Sequence, residues 1–331
     1  SDGWGTNTGS VVIGYGAPAT GDYEYINVKG GPNSIYGASL GTASLADVFD
    51  TKSNIFDQTI TSSIGPITAT RDSNLRTNLD NGVTVEFWLK KGSLGTSLTE
   101  KQVVFDMWNG NASSSVDYGR LRIEVDGTPG RTPFLVTVLS GAVGLNTSGV
   151  AIGSGLNQDS FSDWQHYAFT FVSSSSNLQT KLYVNGNLDQ TLSTGTPIDE
   201  ITGSLIANIG ALRTAPSAST ALYSTYASIV EGYGKLSGSI DEFRYWTKKR
   251  TSQDIGRNWF TQINGGTNTD FGLSGTLDNK YNEENLVDLG VYYKFNEGIT
   301  QTASTDSTVL DYSGRISNGT WTGYDTYSRS T

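Results

Sequence analysis

Cysteine is missing from this chain altogether, and histidine nearly so, with His166 the single one. The first absence excludes disulfides, thiolate catalysis and cysteine-held zinc. The second excludes any metal centre that needs several imidazoles. Proline is scarce, at 7 residues against 40 glycines, and only 16% of the residues are charged. So little charge leaves a surface made chiefly of hydroxyls and amides. No apolar run approaches the roughly 20 residues that a membrane-spanning helix needs, so no membrane insertion is expected. Lys and Arg number 22 against 32 Asp and Glu, a net charge of −10. An acidic chain repels a phosphate backbone, which speaks against nucleic acid as a partner. Scattered carboxylates suit divalent cations, or serve solubility alone.

What the chain does hold is alternation. Its 331 residues are 36% hydrophobic, enough to bury a core in one large β domain or two small ones. Between Trp164 and Gly186 lie two strands. Tyr167, Phe169 and Phe171 fall on one face of the first, with Trp164, His166, Ala168 and Thr170 on the other. The second runs into Asn185-Gly186, a pair that supplies the positive φ angles of a type I′ turn. Val83, Val85, Phe87 and Leu89 alternate with Thr84, Glu86, Trp88 and Lys90 in the same way. Further strands are predicted at Asp22–Val28, Val103–Trp108, Arg120–Val125, Phe134–Leu139, Lys181–Val184, Leu188–Leu192, Leu205–Ile209, Leu236–Trp246 and Val291–Phe295. Such spacing, with tight glycine-rich turns, marks an all-β antiparallel sandwich.

One short helix is predicted after Thr251, whose hydroxyl and Asp254 three residues on have capping-box spacing. Ile255 and Trp259 lie four apart and would dock on the sandwich. Residues 1–79 read as an N-terminal extension of loops and short strands, and 80–331 as the main domain. The chain begins Ser1-Asp2, without Met or a signal peptide, as a processed product or a piece of something longer would.

Four elements then line up: Val83–Lys90; Trp164–Phe171 with Leu182–Gly186; Gly238–Trp246 running into the helix; and Tyr292–Gly298 with Leu310–Gly314 and Asn318–Thr320. Together they resemble the concanavalin A-like, laminin-G-like jelly roll over roughly residues 80–325. In that family an element like Tyr292–Gly298 opens the domain, whereas here it stands near the C-terminal end. Either it closes this sandwich, the reading we favour, or residues 291–331 start a further module. Phage virion proteins carrying such modules are similar in their Ser/Thr/Asn-rich, cysteine-free style. The resemblance implies a non-enzymatic binding or structural module, extracellular, on a virion or bacterial surface. Its partners would be glycans or other virion and surface proteins, and a homo-oligomer stays open. The alternative is a capsid-decoration or fibre component that uses the fold purely for assembly.

The same fold hosts glucanases, which makes glycoside hydrolysis a third reading. Retaining glycosidases need two carboxylates about 5–5.5 Å apart. The matching strand here reads Ser239-Ile-Asp241-Glu242-Phe-Arg244, with Ser where the related enzymes carry Glu. On regular alternation Asp241 and Glu242 face opposite ways. No catalytic residue is therefore assigned, and Glu242 is expected to pair with Arg244 or Arg250. The resemblance also implies a structural calcium near Asp241 and Asp311, with Asn318 as a further ligand. Asp311 and Asn318 serve equally well as Asx-turn formers. For a sugar, exposed aromatics beside amides are wanted. The candidates are Trp108 and Asn109, Tyr118, and the cluster Tyr223, Tyr226 and Tyr233 in the long loop Arg213–Gly234.

Overall fold

A computed structural model describes residues 11–13, 25–28, 74–91, 101–126, 130–145, 149–157, 161–203, 205–213, 234, 236–262, 288–297, 300–313 and 318–322. In chain order the first strands are β1 (Val11–Ile13), β2 (Tyr25–Val28), β3 (Thr77–Asn78), β4 (Val83–Lys90), β5 (Lys101–Trp108) and β6 (Gly119–Asp126). Next come β7 (Phe134–Ser140), β8 (Val143–Gly144), β9 (Val150–Ile152), β10 (Gln165–Ser173), β11 (Leu178–Val184) and β12 (Asn187–Thr194). The series ends with β13 (Glu200–Ile201), β14 (Ile206–Ile209), β15 (Gly238–Trp246), β16 (Leu289–Tyr293), β17 (Thr308–Val309) and β18 (Gly319–Thr322). Helix α1 spans Ser252–Asn258, and a single turn, α2, spans Ala303–Asp306.

Two large antiparallel sheets and a two-stranded one, β3-β13, form among the described residues. The first runs β1-β15-β4-β10-β11-β12, with β16 also on β15. The second runs β17-β18-β2-β14-β5-β6-β7-β8, with β9 also on β7. Strand β15 is long enough to take β1 along Gly238–Ile240 and β16 along Phe243–Trp246 on the same side. Pairing of β1 and β2 draws short stretches of the N-terminal region into both sheets, while β16 and β18 do the same for the C-terminal one.

The alternation read from the sequence sets the core. Val83, Val85, Phe87 and Leu89 of β4 and Tyr167, Phe169 and Phe171 of β10 meet Leu121, Ile123 and Val125 of β6 and Phe134, Val136 and Val138 of β7 in one buried cluster. Phe134 bridges the sheets, its ring centroid 4.9 Å from that of Tyr167 and 5.1 Å from that of Phe169. A buried aromatic of this kind is worth about 3–5 kcal/mol when truncated to alanine. The hairpin between β11 and β12 has Asn185 at φ 48° and Gly186 at φ 78°, both positive as a type I′ turn requires.

The outer face of the first sheet is buried as well, which simple alternation does not predict. Thr84, Glu86, His166, Ala168 and Thr170 are all within a few per cent of full burial. Helix α1 supplies part of the cover. Its capping box is complete: the Thr251 side chain accepts from the Asp254 backbone N–H, and the Asp254 side chain accepts from the Thr251 backbone N–H. Ile255 packs on Ala168 and Tyr183, and the Tyr183 and Ser252 hydroxyls lie 2.7 Å apart. At the helix end, Trp259 lies over Trp88 and His166, with centroid separations of 5.5 and 6.2 Å.

Candidate functional site

On the outer face of the first sheet lies a buried ionic network. Arg250 donates to Glu86 at 2.7 Å, and an Arg244 guanidinium nitrogen lies 3.6 Å from the same carboxylate. Arg244 also donates to Glu242 at 3.0 Å, and the Tyr292 hydroxyl donates to Glu242. Glu242 thus takes Arg244 as partner, while Arg250 turns to Glu86. Burial raises the Glu86 pKa, but the Arg250 and Arg244 guanidinium groups outweigh it and hold the carboxyl below its ordinary value. His166 is fully buried, and neither of its ring nitrogens has a hydrogen-bond partner. Burial pushes its pKa down to about 3; Glu86 opposes that shift, and Arg244 and Arg250 add to it. The imidazole is neutral at physiological pH and packs as a ring against Trp88, a structural role rather than that of a base.

The strand carrying Asp241 and Glu242 departs from regular alternation. A register shift falls between Asp241 and Arg244, and Glu242 has φ 51°. Ile240 and Phe243 both enter the core, while Asp241 stands opposite Trp88 and Glu242 joins Arg244. The bulge therefore turns both carboxylates to the outer face, correcting the expectation that they point opposite ways. Both are buried, and the Asp241 carboxylate accepts from the Glu242 backbone N–H.

Asp311 sits beside β16. Its carboxylate accepts from the backbone N–H groups of Tyr292 and Ser313, at 3.0 and 2.9 Å, and from the Ser313 hydroxyl at 2.7 Å. Asn318 accepts from the Asp311 N–H at 2.9 Å. The bonds within Asp311–Ser313 form an Asx turn, while those to Tyr292 and Asn318 tie Asp311 to β16 and to the residue before β18. Among the described residues no group of three or more His, Asp or Glu side chains is placed to hold a metal ion. Calcium takes six to eight oxygens, carbonyls and waters included, and Asp311 and Asn318 already engage the partners above.

The expected sugar contacts around Trp108 have internal duties. The Trp108 indole N–H donates to the Asn111 carbonyl at 2.7 Å. Asn109 is buried and organises its loop: its amide donates to the Asp117 and Thr202 carbonyls at 2.6 and 2.8 Å, and its oxygen accepts from the Gly119 N–H at 3.0 Å. Tyr118 is buried, with its hydroxyl accepting from Arg120 at 3.2 Å, and Arg120 in turn pairs with Asp106. Tyr223, Tyr226 and Tyr233 lie outside the described residues.

The other end of β6 carries a cavity that no sequence motif marked. It has a volume of about 460 Å³ and is lined by Gly130, Arg131 and Thr132 between β6 and β7, and by Gly153, Ser154, Leu156 and Asn157 after β9. Pairing of Phe134 with Ile152 brings the two loops together. The second loop is held rigidly. Gln190 of β12 accepts from the backbone N–H groups of Gly153 and Ser154, at 2.7 and 2.8 Å, and Leu156 packs on the main core. Gly153 has φ 106°, which favours glycine there. Arg131 is mostly exposed and lies 3.6 Å from the buried carboxylate of Asp126. The walls thus offer a guanidinium, two hydroxyls, an amide and one apolar patch, within the size range of small-ligand sites. Among the described residues the nearest carboxylate to the lining that an ion pair marks is Asp126, held to Arg131. Only its Gly-rich turns are visible in the sequence, and they look like any others.

The sequence matches the family description "concanavalin A-like lectin/glucanases superfamily" over residues 65–256, more than half of the chain. No curated protein sequence matches it. Among solved structures, a proposed carbohydrate-binding protein from Bacteroides ovatus is 18% identical with a TM-score of 0.40, the match covering 73% of this chain and 52% of that one. The chain therefore spans about half the length of that protein. A heptameric pentraxin from Limulus polyphemus is 8% identical with a TM-score of 0.34, over 75% and 79% of the two chains. Domains LG4-5 of the mouse laminin α1 chain are 10% identical with a TM-score of 0.32, over 54% and 40%. No helix among the described residues is long and apolar enough to cross a membrane.

Proposed function

Because the chain belongs to the concanavalin A-like lectin/glucanases superfamily, we propose that it is a non-catalytic, lectin-type module that binds a glycan in the cavity between the β6–β7 and β9–β10 loops. The observation that carries this reading is the chemistry of the lining. Arg131, Thr132, Ser154 and Asn157 bring hydrogen-bonding groups for sugar hydroxyls, and Leu156 brings an apolar surface, on loops fixed by Gln190 and the core. The low-charge, hydroxyl-rich composition supports an extracellular setting on a virion or bacterial surface. A glycan array tests the reading: the wild type binds a defined set of glycans, and Arg131→Ala with Asn157→Ala removes the signal. An empty array, or an unchanged one for the double variant, would contradict it.

A second reading has one observation in its favour. Val116 is 85% exposed and Val143 is 41% exposed, on adjoining turns at the far end of β6. Such a tip suits assembly into a larger particle. Val116→Asp would then block incorporation while leaving glycan binding intact.

A further inference from the structure

We infer that α1 is an acid-operated latch: proton uptake by His166 releases the helix from the sheet while the sandwich beneath it stays folded. Both ends of the helix are tied to the surroundings of this one imidazole. At the C-terminal end, Trp259, Trp88 and His166 form a triangle of rings, with centroids 5.5 to 6.2 Å apart. At the N-terminal end Arg250, the residue before the N-cap Thr251, donates to Glu86 at 2.7 Å. The second oxygen of Glu86 is 3.9 Å from His166 Nε2 and 3.6 Å from an Arg244 nitrogen.

The charges that reach the ring are Glu86 from β4, Arg244 from β15 and Arg250 from the turn before α1. Helix α1 lays the neutral Trp259 ring on it; of the helix's own charges, Asp254 is held in the capping box and Arg257 is exposed. The β11–β12 hairpin brings the neutral Asn185 side chain, which accepts from the His166 backbone N–H. Asp241 stands beyond Trp88 in the same row of paired residues. Two guanidiniums, Arg244 and Arg250, already face two carboxylates, Glu86 and Glu242. A proton on His166 adds one buried cation to this balanced set, on a ring whose nitrogens have no hydrogen-bond partner. Such a charge needs water or a new partner. Burial accordingly keeps the ring neutral, with its pKa pushed down to about 3. Of the two covers, Trp88 belongs to β4, which is paired on both sides and cannot shift without breaking the sheet. Trp259 ends a seven-residue helix, held by Ile255 against Ala168 and Tyr183 and by the Tyr183–Ser252 hydroxyl pair. A helix this short is unstable alone in water, so lifting Trp259 to hydrate the imidazolium also unwinds α1. Ala168 and Tyr183 are then uncovered, an apolar surface that the protein presents only in acid.

Amide hydrogen exchange by NMR tests the latch. It is read at Ile255 and Trp259, whose N–H groups donate to the Thr251 and Ile255 carbonyls, and at the central strand β10. After correction for intrinsic rates, the wild-type opening constant at the two helix amides rises about 30-fold from pH 7 to pH 5, following the ordinary histidine pKa of the opened state. In His166→Phe it stays constant, and at pH 5 the β10 amides remain at least about tenfold better protected than the helix. The chain's one histidine gives a single imidazole signal, so its titration can be followed directly. Ile255→Ala, which loosens the docking, moves that titration up from about 3 towards 6.5. The inference is overturned by a wild-type opening constant that does not rise in acid or that rises equally in His166→Phe. It is overturned too by helix and β10 amides exchanging as one unit, or by an imidazole titration that Ile255→Ala leaves in place. This last comparison needs no His166 variant, so it decides the matter even where His166→Phe fails to fold.

Discussion

Replacing His166 by phenylalanine should flatten the acid limb of the stability profile. The folded pKa of His166 is about 3, against an ordinary value of 6.5. The unfolded chain therefore takes up a proton on this ring that the folded chain refuses. Stability from this group is fully present above about pH 6.5 and is lost as pH falls towards 3. At pH 5 the interval below the unfolded pKa is about 1.5 units, or about 2 kcal/mol at 1.36 kcal/mol per unit. That figure depends on the unfolded value alone, provided the folded pKa lies well below 5. Over the whole window the loss reaches about 5 kcal/mol. Phenylalanine keeps the ring against Trp88 and Trp259 but cannot titrate. Its slightly larger volume costs about 1–3 kcal/mol at every pH, so the comparison is of slopes. Urea unfolding followed by tryptophan fluorescence, from pH 7.5 to 4.5, supplies both profiles. The variant should lose about 2 kcal/mol less than the wild type between pH 7 and pH 5. Parallel profiles would show that His166 takes up its proton alike in the folded and unfolded chain, and a smaller loss in the wild type than in the variant would show an ion pair with Glu86; either would refute the neutral buried ring.

Asn109→Ala removes donors from the Asp117 and Thr202 carbonyls and an acceptor from Gly119; a loss of roughly 2–4 kcal/mol in urea unfolding is expected, and a change confined to sugar affinity would reassign this residue to a ligand. Gly186→Ala places a Cβ against the Trp259 ring at φ 78°. It should cost at least about 1 kcal/mol and shift tryptophan emission to the red as α1 loosens; an unchanged spectrum would contradict the docking of α1 on the hairpin. Chelation with EDTA should leave the melting temperature where it is, since Asp311 and Asn318 are occupied by backbone and hydroxyl partners. A rise on adding calcium would restore a structural ion.

Much of the sandwich was legible because strand alternation is a local signal. Tyr167, Phe169 and Phe171 announce a core face wherever they occur in a strand, and Asn185-Gly186 announces its turn. The capping pair Thr251 and Asp254 is equally local. What escaped depends on distant residues meeting. Ala168 looks solvent-facing until Ile255 of α1 is laid over it. The bulge at Glu242 inverts a facing argument that regular alternation makes, and nothing in Asp241-Glu242 itself signals the extra residue. Trp108, Asn109 and Tyr118 have the composition of a sugar site, yet Asn109 and Tyr118 are consumed by loop closure and by the Arg120 pair. The cavity was invisible for the opposite reason. Glycine, serine, threonine and asparagine in two loops about 20 residues apart carry no motif, and only the pairing of β7 with β9 makes them neighbours.

The central claim is that a glycan occupies the cavity of Arg131 and Asn157. Titration of the tightest-binding array glycan against wild type and the Arg131→Ala, Asn157→Ala double variant, both confirmed folded by their melting transitions, tests it most directly. The account predicts saturable binding by the wild type and its loss in the variant. Equal affinities for the two proteins would contradict it.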